Sequence, residues 1–431
     1  MSEASYRSLM LFPDVRLFFA GTMETEKKPH SQPPTSWSAL PLDLASMVLR
    51  LLPAYADRAR FAAVCPQWRA AARQQLQPPA LPLLVLPGGT FYSLPHEEPL
   101  RFPGCGFAGY QSACGSWLVF PRDDGCFLVD PFSRATVTLP ALSCVRLRPP
   151  NAVAKWSSLQ PGARITQPCV TWMHMEDSDK PRIKKLILCS SNLVAAVVGL
   201  GPLSQILICQ PGASSWSVRA YDKMKMYEDM AFYQGKLYAI DDDEDLLVVN
   251  ISEDNSTGDP QVSKIGRVIK DKAAPSWGQG VPAGNSRSHK KIYLVESRGA
   301  LLMVCRKIGL CFPERGVRGQ AIAGQSEFEV FEADFEHSRW VRVSTVGDDQ
   351  VLFLGRGCSR AVSVSQYGLL GNRIFFLDDD EECLKNYVYR EENTSCSAYD
   401  MRLGDVCYPH PMISWKRGRD TRLAAWLFPQ D

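Results

Sequence analysis

The chain has 431 residues and a mass of 48.0 kDa, enough for a large core with a smaller element attached to it. Its 48 Lys and Arg residues against 46 Asp and Glu residues give a net charge of +2. Nucleic-acid binding and attachment to an acidic membrane surface both require a basic excess that this balance lacks, so we expect neither partner. Hydrophobic residues make up 45% and charged residues 22%, which excludes a wholly disordered chain, a collagen-like fibre and a coiled coil.

The cysteines and histidines give no sequence-local metal site. The 14 cysteines fall singly in apolar segments, none of them spaced as Cys-x-x-Cys, and the six histidines are far apart in the chain. We therefore expect reduced cysteines in the core, no structural metal and no cofactor.

Residues 1–35 are predicted to be a disordered leader. The apolar strings 9–12 and 17–20 are separated by Pro13, Asp14 and Arg16, so they are too short for the core of a secretory signal. No stretch approaches the length of a membrane-spanning helix. Residues 24–36 are charged and proline-rich, and Met23 is an alternative start. We expect the protein in the cytosol, the nucleus or both.

A helical module is predicted over residues 36–77. Ser38 is the expected cap of the first helix, and Pro53 ends it. Asp57 is the expected cap of a second helix over 58–64, and a third follows over 64–72. The apolar residues of the first segment recur at helical spacing: Leu44, Val48, Leu51 and Leu52.

This module carries more apolar residues than its own core needs. A unit of this size buries too little surface to be comfortably stable alone. Some of its apolar side chains should therefore contact a partner or the next domain, and periodicity alone is equally compatible with a helical cap on a larger domain. The residues concerned are Leu40, Leu44, Val48, Leu52, Phe61, Val64 and Trp68.

The literal string of this segment resembles the F-box motif. It reads Leu40-Pro41-x-Asp43-Leu44, then 48–53, then Asp57-Arg58-x-Arg60-Phe61-x-x-Val64-Cys65-x-x-Trp68-Arg69. The resemblance implies docking on the Skp-family adaptor of a cullin-RING ubiquitin ligase, and through that adaptor on a cullin. Pro66 departs from the family pattern, and because proline is tolerated in the first turn of a helix, it predicts a shifted start of the third helix.

The resemblance also implies which residues bind the adaptor. Leu40 and Pro41 would open the docking surface, and the others would divide between the core of the motif and the groove of the adaptor. The full set of expected adaptor-binding residues is Leu40, Pro41, Leu44, Val48, Leu52, Val64, Cys65 and Trp68.

Residues 80–415 are predicted to form a mainly β domain, with a tail over 416–431. Short apolar strings rich in β-branched and aromatic residues alternate with Gly, Pro, Asn and Asp, and no long helix interrupts them. Fourteen strands are predicted, at 117–120, 126–130, 186–189, 193–198, 205–209, 216–220, 236–240, 246–249, 291–296, 301–305, 327–333, 340–343, 361–364 and 373–377.

Degenerate repeats favour a β-propeller of about six blades. The strings 235–241, 290–296 and 372–378 each read as a turn, a strand and an acid, and Trp216 and Trp340 each open a strand. Short meanders of this kind are typical of propeller blades. A large irregular β-sandwich is the alternative.

The β domain resembles a family of plant F-box proteins. The strings 114–119, 129–133, 139–140, 231–238 and 371–379 are similar, in order, to members with a carboxyl-terminal kelch-like, KIB-type propeller of largely unassigned function. The resemblance implies a non-catalytic substrate receptor of a ubiquitin ligase, with the propeller holding an unknown target protein.

A search for catalytic chemistry gives no candidate residue. No phosphate loop, zinc-protease motif or nucleophile turn is present, and the string 355–360 lacks the third glycine of a dinucleotide loop. Cys65 and Cys358 have no histidine nearby in sequence. The acidic runs 241–245 and 378–382 are predicted to be solvated turns, with binding of a basic substrate tail as the alternative. Trp117, Trp216 and Trp340 are predicted core residues.

Three loops are predicted to carry target recognition: 178–184, 271–288 and 313–325. The alternatives to a ligase receptor are an F-box-bearing scaffold without ligase function and a propeller enzyme with a helical cap. The candidate target-binding residues are Arg182, Lys184, Lys185, Trp277, Arg315 and Arg318.

Overall fold

The computed structural model places three helices ahead of a large β domain. Within the described part of the chain, no helix is long and apolar enough to cross a membrane. The leader predicted over 1–35 lies outside the described residues. The structure describes residues 37, 40–52, 54–74, 80–94, 99–100, 102, 106–148, 153–154, 169–170, 181–200, 203–220, 225–270, 287–311, 321–367, 369–377, 387–389, 393–407, 414–416 and 424–429.

The three predicted helices are confirmed, with different ends. They are α1 (Leu42–Arg50), α2 (Tyr55–Val64) and α3 (Pro66–Gln74). Pro41 rather than Ser38 precedes α1, and Ala54 rather than Asp57 precedes α2. Asp57 instead lies in the first turn of α2, where its carboxylate faces the positive end of the helix dipole. Pro66 is the first residue of α3, as its missing N–H requires.

The helices share a small core. Ala45 and Leu49 of α1 pack against Phe61 of α2 and against Trp68 and Ala71 of α3. The rings of Phe61 and Trp68 stack with their centroids 4.5 Å apart. Few side chains are fully buried here, as expected for a unit of this size.

Six sheets of four or more strands follow, and each is one blade. Blade 1 contains β1 (Leu83–Val85), β2 (Phe91–Ser93) and β3 (Pro99–Leu100), joined by the last strand, β30 (Ala425–Leu427). Blade 2 contains β4 (Ser112–Cys114), β5 (Trp117–Arg122), β6 (Gly125–Val129) and β7 (Thr136–Thr138). Blade 3 contains β8 (Val145–Arg148), β11 (Arg182–Ser190), β12 (Leu193–Leu200), β13 (Leu203–Cys209) and β14 (Trp216–Arg219). A separate parallel pair is β9 (Val153–Ala154) with β10 (Cys169–Val170).

Blades 4 to 6 complete the domain. Blade 4 contains β15 (Tyr227–Tyr233), β16 (Lys236–Asp241), β17 (Leu246–Glu253) and β18 (Pro260–Ile269). Blade 5 contains β19 (Arg287–Ser297), β20 (Ala300–Cys311), β21 (Ala321–Asp334), β22 (Arg339–Val343) and the added β26 (Tyr387–Tyr389). Blade 6 contains β23 (Gln350–Leu354), β24 (Arg360–Ser363), β25 (Arg373–Leu377), β27 (Asn393–Asp400), β28 (Asp405–Cys407) and β29 (Ser414–Lys416).

The blades form a closed ring. The strands β30, β4, β11, β15, β19 and β24 contact one another in succession, which makes them the inner strands. Six apolar clusters of buried side chains fill the spaces between blades 1 and 2, 2 and 3, 3 and 4, 4 and 5, 5 and 6, and 6 and 1. A sandwich has one such interface between two sheets. The six-bladed propeller is therefore confirmed.

The ring is closed by the two ends of the β domain. β30 pairs antiparallel with β1, so residues from the carboxyl end supply the inner strand of blade 1. Trp426 on β30 is fully buried in the cluster between blades 6 and 1. The predicted separate tail over 416–431 is therefore wrong for residues 424–429, because they form β30 and pair with the edge of β1, which would otherwise be open.

Tryptophan indoles join neighbouring blades at three of the six interfaces. Trp216 donates its Nε1–H to the carbonyl of Pro140 at 2.9 Å, and Trp340 donates to the carbonyl of Glu244 at 2.9 Å. Trp426 donates to the carbonyl of Leu354 at 3.0 Å. The core role predicted for Trp216 and Trp340 is confirmed, and Trp117 packs half-buried against the cluster between blades 2 and 3.

All fourteen predicted strands overlap observed ones, but one predicted repeat is not structural. The strings 235–241, 290–296 and 372–378 fall on β16, β19 and β25. β19 is an inner strand, whereas β16 and β25 lie inside their sheets. The shared pattern reflects the common chemistry of buried strands and not equivalent positions in successive blades.

Candidate protein-interaction site

The helical module presents an exposed apolar surface to solvent. Of the nine large hydrophobic side chains that are exposed among the described residues, six lie between positions 37 and 64. Exposed patches of this kind on a small module mark a protein-binding site. These six residues, named here the apolar face, are Trp37, Leu42, Leu44, Met47, Leu51 and Val64.

The geometry of α1 explains which residues are exposed. Leu44, Met47 and Leu51 follow one another at i, i+3 and i+7, so they line one side of the helix. Ala45 and Leu49 lie on the other side, against α2 and α3. Met47 is 53% exposed and Leu51 62% exposed, so neither contributes to the core of the module.

The predicted adaptor-binding residues divide into two groups. Pro41, Leu44 and Val64 are exposed, so their side chains are available to a partner. Trp68 is buried in the core of the module, and its indole Nε1–H donates to the carbonyl of Trp37 at 3.2 Å. The others are half-buried against that core: Leu40, Val48, Leu52 and Cys65.

Four exposed residues were missed by sequence reasoning: Trp37, Leu42, Met47 and Leu51. Leu51 belonged to the predicted helical stripe, but the stripe did not indicate whether its side chain faces the module or the solvent. The first helix of the module has apolar residues on both sides, and periodicity identifies an apolar face without saying what covers it. The missing signal was the packing direction of α2 and α3.

Strand direction divides the propeller into two faces. The inner strands β4, β11, β15 and β19 each end in a tight turn at the same face, and the turns are 115–116, 191–192, 234–235 and 298–299. We name this the turn face. The end of β18 and the starts of β11 and β19 lie at the opposite face. The end of β20 and the start of β21 lie there too. The described chain on both sides of the loops 271–288 and 313–325, and on the side that follows 178–184, therefore meets the face opposite the turn face.

The candidate target-binding residues are only partly accounted for. Arg182 is exposed at the start of β11, and Lys184 beside it is half-buried. Trp277, Arg315 and Arg318 lie outside the described residues. Lys185 is buried, so its assignment as a surface contact is wrong.

Lys185 belongs to a buried link between three blades. Its Nζ lies 2.7 Å from Oδ1 of Asp229 on β15, and both side chains are shielded from solvent. The other carboxylate oxygen of Asp229 accepts the backbone N–H of Leu294 on β19 at 2.9 Å. A buried lysine needs such a partner, because an isolated charge in the interior is strongly unfavourable. Lys185 thus holds neighbouring inner strands together.

The first acidic run is also structural. Asp241, Glu244 and Asp245 are buried and are not a solvated turn, which corrects the prediction. Lys225 pairs with Asp241, and Lys290 of blade 5 lies 2.7 Å from Glu244. Burial and the neighbouring carboxylates raise the pKa values of Asp242 and Asp245. The second acidic run, 378–382, lies outside the described residues.

Several buried cysteines of the propeller are inert. Burial raises the pKa of the thiols of Cys126, Cys189 and Cys305 to about 12, and it raises that of Cys114 further. Such thiols stay protonated at neutral pH and are poor nucleophiles. Among the residues that can be described, no group of His, Cys, Asp and Glu is arranged to hold a metal ion.

Gly357 in the string 355–360 serves packing. A Cβ atom on Gly357 would lie 2.5 Å from the carbonyl oxygen of Ala113, so only glycine fits here. The turn between β23 and β24 thereby reaches from blade 6 to β4 of blade 2, past the three-residue strand β30.

The helical module and the ring of blades together define an F-box protein with a β-propeller domain. The family model of the F-box domain matches residues 37–76, and the model of the KIB1-4 beta-propeller matches residues 87–400. The second match spans more than half of the chain, so the chain belongs to the KIB1-4 beta-propeller family.

Other comparisons add no functional argument. No curated protein matches the chain. Among solved structures, the extracellular domain of a one-component system from B. thetaiotaomicron is 10% identical with a TM-score of 0.20, and the match covers 81% of this chain and 52% of that one. The chain thus spans about half the length of that protein, and a similarity at this level carries no argument.

Proposed function

We propose that the protein is the substrate-recognition subunit of a Skp-cullin-F-box ubiquitin ligase. In this role the apolar face of the F-box binds a Skp-family adaptor, which connects the chain to a cullin. The propeller binds a target protein in the cytosol, the nucleus or both. The subunit acts without chemistry of its own, by raising the effective concentration of target lysines near the transfer machinery.

One observation carries this proposal: the apolar face is exposed in the isolated chain. Trp37, Leu44, Met47 and Leu51 remain in contact with water although the propeller lies next to the module. Leaving this much apolar surface exposed is unfavourable, and a partner would relieve it. F-box domains in general bind adaptors of the Skp family, which gives the kind of partner expected.

The experiment measures adaptor binding by calorimetry with the full chain. The test variant is Met47→Ala/Leu51→Ala, and the matched control is Leu403→Ala, which truncates an exposed leucine of blade 6. Central apolar anchors of an interface typically contribute above about 1 kcal/mol each, so the double variant should weaken binding at least about tenfold. The control should bind like the wild type. All three should melt at the same temperature, because the truncated side chains are exposed.

A second measurement separates a ligase subunit from a scaffold. The wild type, the adaptor and a cullin-RING complex are mixed with ubiquitin and its charging enzymes, and modification of the chain's own lysines is followed. Modification that depends on the adaptor supports the proposal. Adaptor binding without any modification would favour the scaffold, and no adaptor binding by the wild type would contradict the proposal.

A further inference from the structure

Tyr55 is an F-box residue that packs in the propeller. Its ring centroid lies 4.9 Å from that of Phe132 and 6.3 Å from that of Phe102. It lies against the apolar cluster between blades 1 and 2, whereas the core of the F-box is built from other side chains. Burial, with the Asp130 carboxylate nearby, raises the pKa of the Tyr55 phenol, so it stays neutral. The F-box thus inserts an aromatic anchor into the propeller.

Two hydrogen bonds lie beside this anchor. The backbone N–H of Ala56 donates to the hydroxyl of Ser93 in blade 1 at 3.4 Å. The guanidinium of Arg58 donates to the hydroxyl of Tyr367 in blade 6 at 3.3 Å, and its Nε donates to the carbonyl of Leu52 at 2.8 Å. Arg58 is buried, so these bonds are shielded from water. Arg58 therefore links the end of the first F-box helix to the propeller.

The contacts are all made at one end of α2 and on three blades. Phe132 follows β6 at the turn face. Tyr367 lies at the same face, because the segment before it bonds to Asp349 and Asp349 pairs with Arg298 in the turn 298–299. Anchors on three different blades, 1, 2 and 6, together resist the rotation that one contact would leave. The apolar face takes no part in these contacts.

We propose that Tyr55 and Arg58 are positioning residues, which fix the orientation of the adaptor-binding face relative to the propeller. The consequence of this fixed orientation rests on the proposed function. A target on the propeller is then held at a fixed place relative to the transfer machinery, and a nearly fixed geometry accelerates the transfer of ubiquitin. The F-box then occupies the turn face, and the opposite face is left to the target.

The first test needs no adaptor. Hydrogen exchange and small-angle scattering are measured on the full chain for the wild type and for Tyr55→Ala/Tyr367→Phe. The matched controls are Arg60→Ala, on the exposed side of α2, and Tyr233→Phe, which removes a hydroxyl at the turn face that bonds to Gly299 far from the F-box. We expect exchange over residues 54–58 to quicken at least about tenfold in the test variant, with a larger radius of gyration, and neither change in the controls.

The second test uses the reconstituted ligase. Because the apolar face is untouched, the test variant should keep its adaptor affinity within about threefold, while self-modification spreads from a few lysines to many. Unchanged exchange and an unchanged lysine pattern would overturn the positioning role. Loss of adaptor binding together with rapid exchange across α1 would also overturn it, because the contacts would then support the fold of the F-box. Failure of the wild type to bind the adaptor would overturn only the proposed function, since the exchange result stands without it.

Discussion

Val64 and Trp68 lie four residues apart and have opposite roles. Both are apolar, and the resemblance to the F-box motif assigned both to the adaptor. In the structure Val64 is 54% exposed, whereas Trp68 is buried against Phe61. A motif shows only that a position is apolar. Burial inside the module and burial by a partner both require an apolar side chain. The residue type was therefore predictable, and the direction of the side chain was not.

Truncation separates these roles. Trp68→Ala should lower the free energy of unfolding of the F-box by about 3–5 kcal/mol, because it removes the largest side chain of a small core. Val64→Ala should leave the F-box folded and weaken adaptor binding alone. Helical circular dichroism during urea unfolding of the full chain measures the first effect, and calorimetry the second. Equal loss of structure in both variants would contradict the assignment.

The loop between β16 and β17 is an element whose burial could not be predicted from the sequence. Five successive acids predict a solvated turn on charge alone. The fold buries three of them, and their cationic partners are Lys225, which bridges to blade 3, and Lys290 of blade 5. Only the tertiary arrangement supplies those cations. The fourteen strands predicted from the sequence, by contrast, depend on local alternation.

Asp242 in this loop predicts a pH dependence. Burial and the carboxylates of Asp243 and Asp241 raise its pKa in the folded state, so folding favours its protonated form. Its contribution to stability is fully present below the unfolded pKa of about 3.9 and is lost as the pH rises through the raised folded value. Asp242→Asn stays neutral, so its melting temperature relative to the wild type should rise with pH through that window.

Melting curves from pH 3 to 7 check this expectation. The control is Asp123→Asn, whose side chain is exposed in the turn between β5 and β6 of blade 2. A lower melting temperature for Asp242→Asn than for the wild type at neutral pH would show that the charge of Asp242 stabilises the loop, contrary to the account.

The turn between β23 and β24 makes a second prediction at this scale. Gly357→Ala places a Cβ atom 2.5 Å from the Ala113 carbonyl, so blade 6 must move away from β4. Overpacking of this kind costs about 1–3 kcal/mol, measured as a lower unfolding midpoint in urea. Gly88→Ala is the matched control, because a Cβ atom there meets no neighbour within 4 Å. A Gly357→Ala variant as stable as Gly88→Ala would show that the turn does not pack as described.

At the scale of the molecule, ring closure depends on both ends of the β domain. The sequence predicted the class of fold and about six blades from short meanders with turn signals. It did not predict that β30 joins β1, because pairing between strands more than 300 residues apart leaves no local pattern. The position of the F-box on the turn face was equally unpredictable, because it depends on contacts of Tyr55 and Arg58 with residues far along the chain.

Trp426 tests ring closure. Trp426→Ala removes a fully buried indole and its hydrogen bond to the Leu354 carbonyl, so we expect a loss of about 3–5 kcal/mol and a looser blade 1. Hydrogen exchange of β1 and β4, which flank β30, should quicken more than that of blade 4. Uniform exchange around the ring would contradict closure at this position.

The most direct test of the proposed function is a hydrogen-exchange footprint of a Skp-family adaptor on the full chain. The account predicts slower exchange over residues 41–52 and at the end of α2 on adding the adaptor, with the described strands of the propeller unchanged. A footprint on the blades without one on α1, or no footprint at saturating adaptor, would contradict the claim that the exposed apolar face of the F-box is the adaptor site.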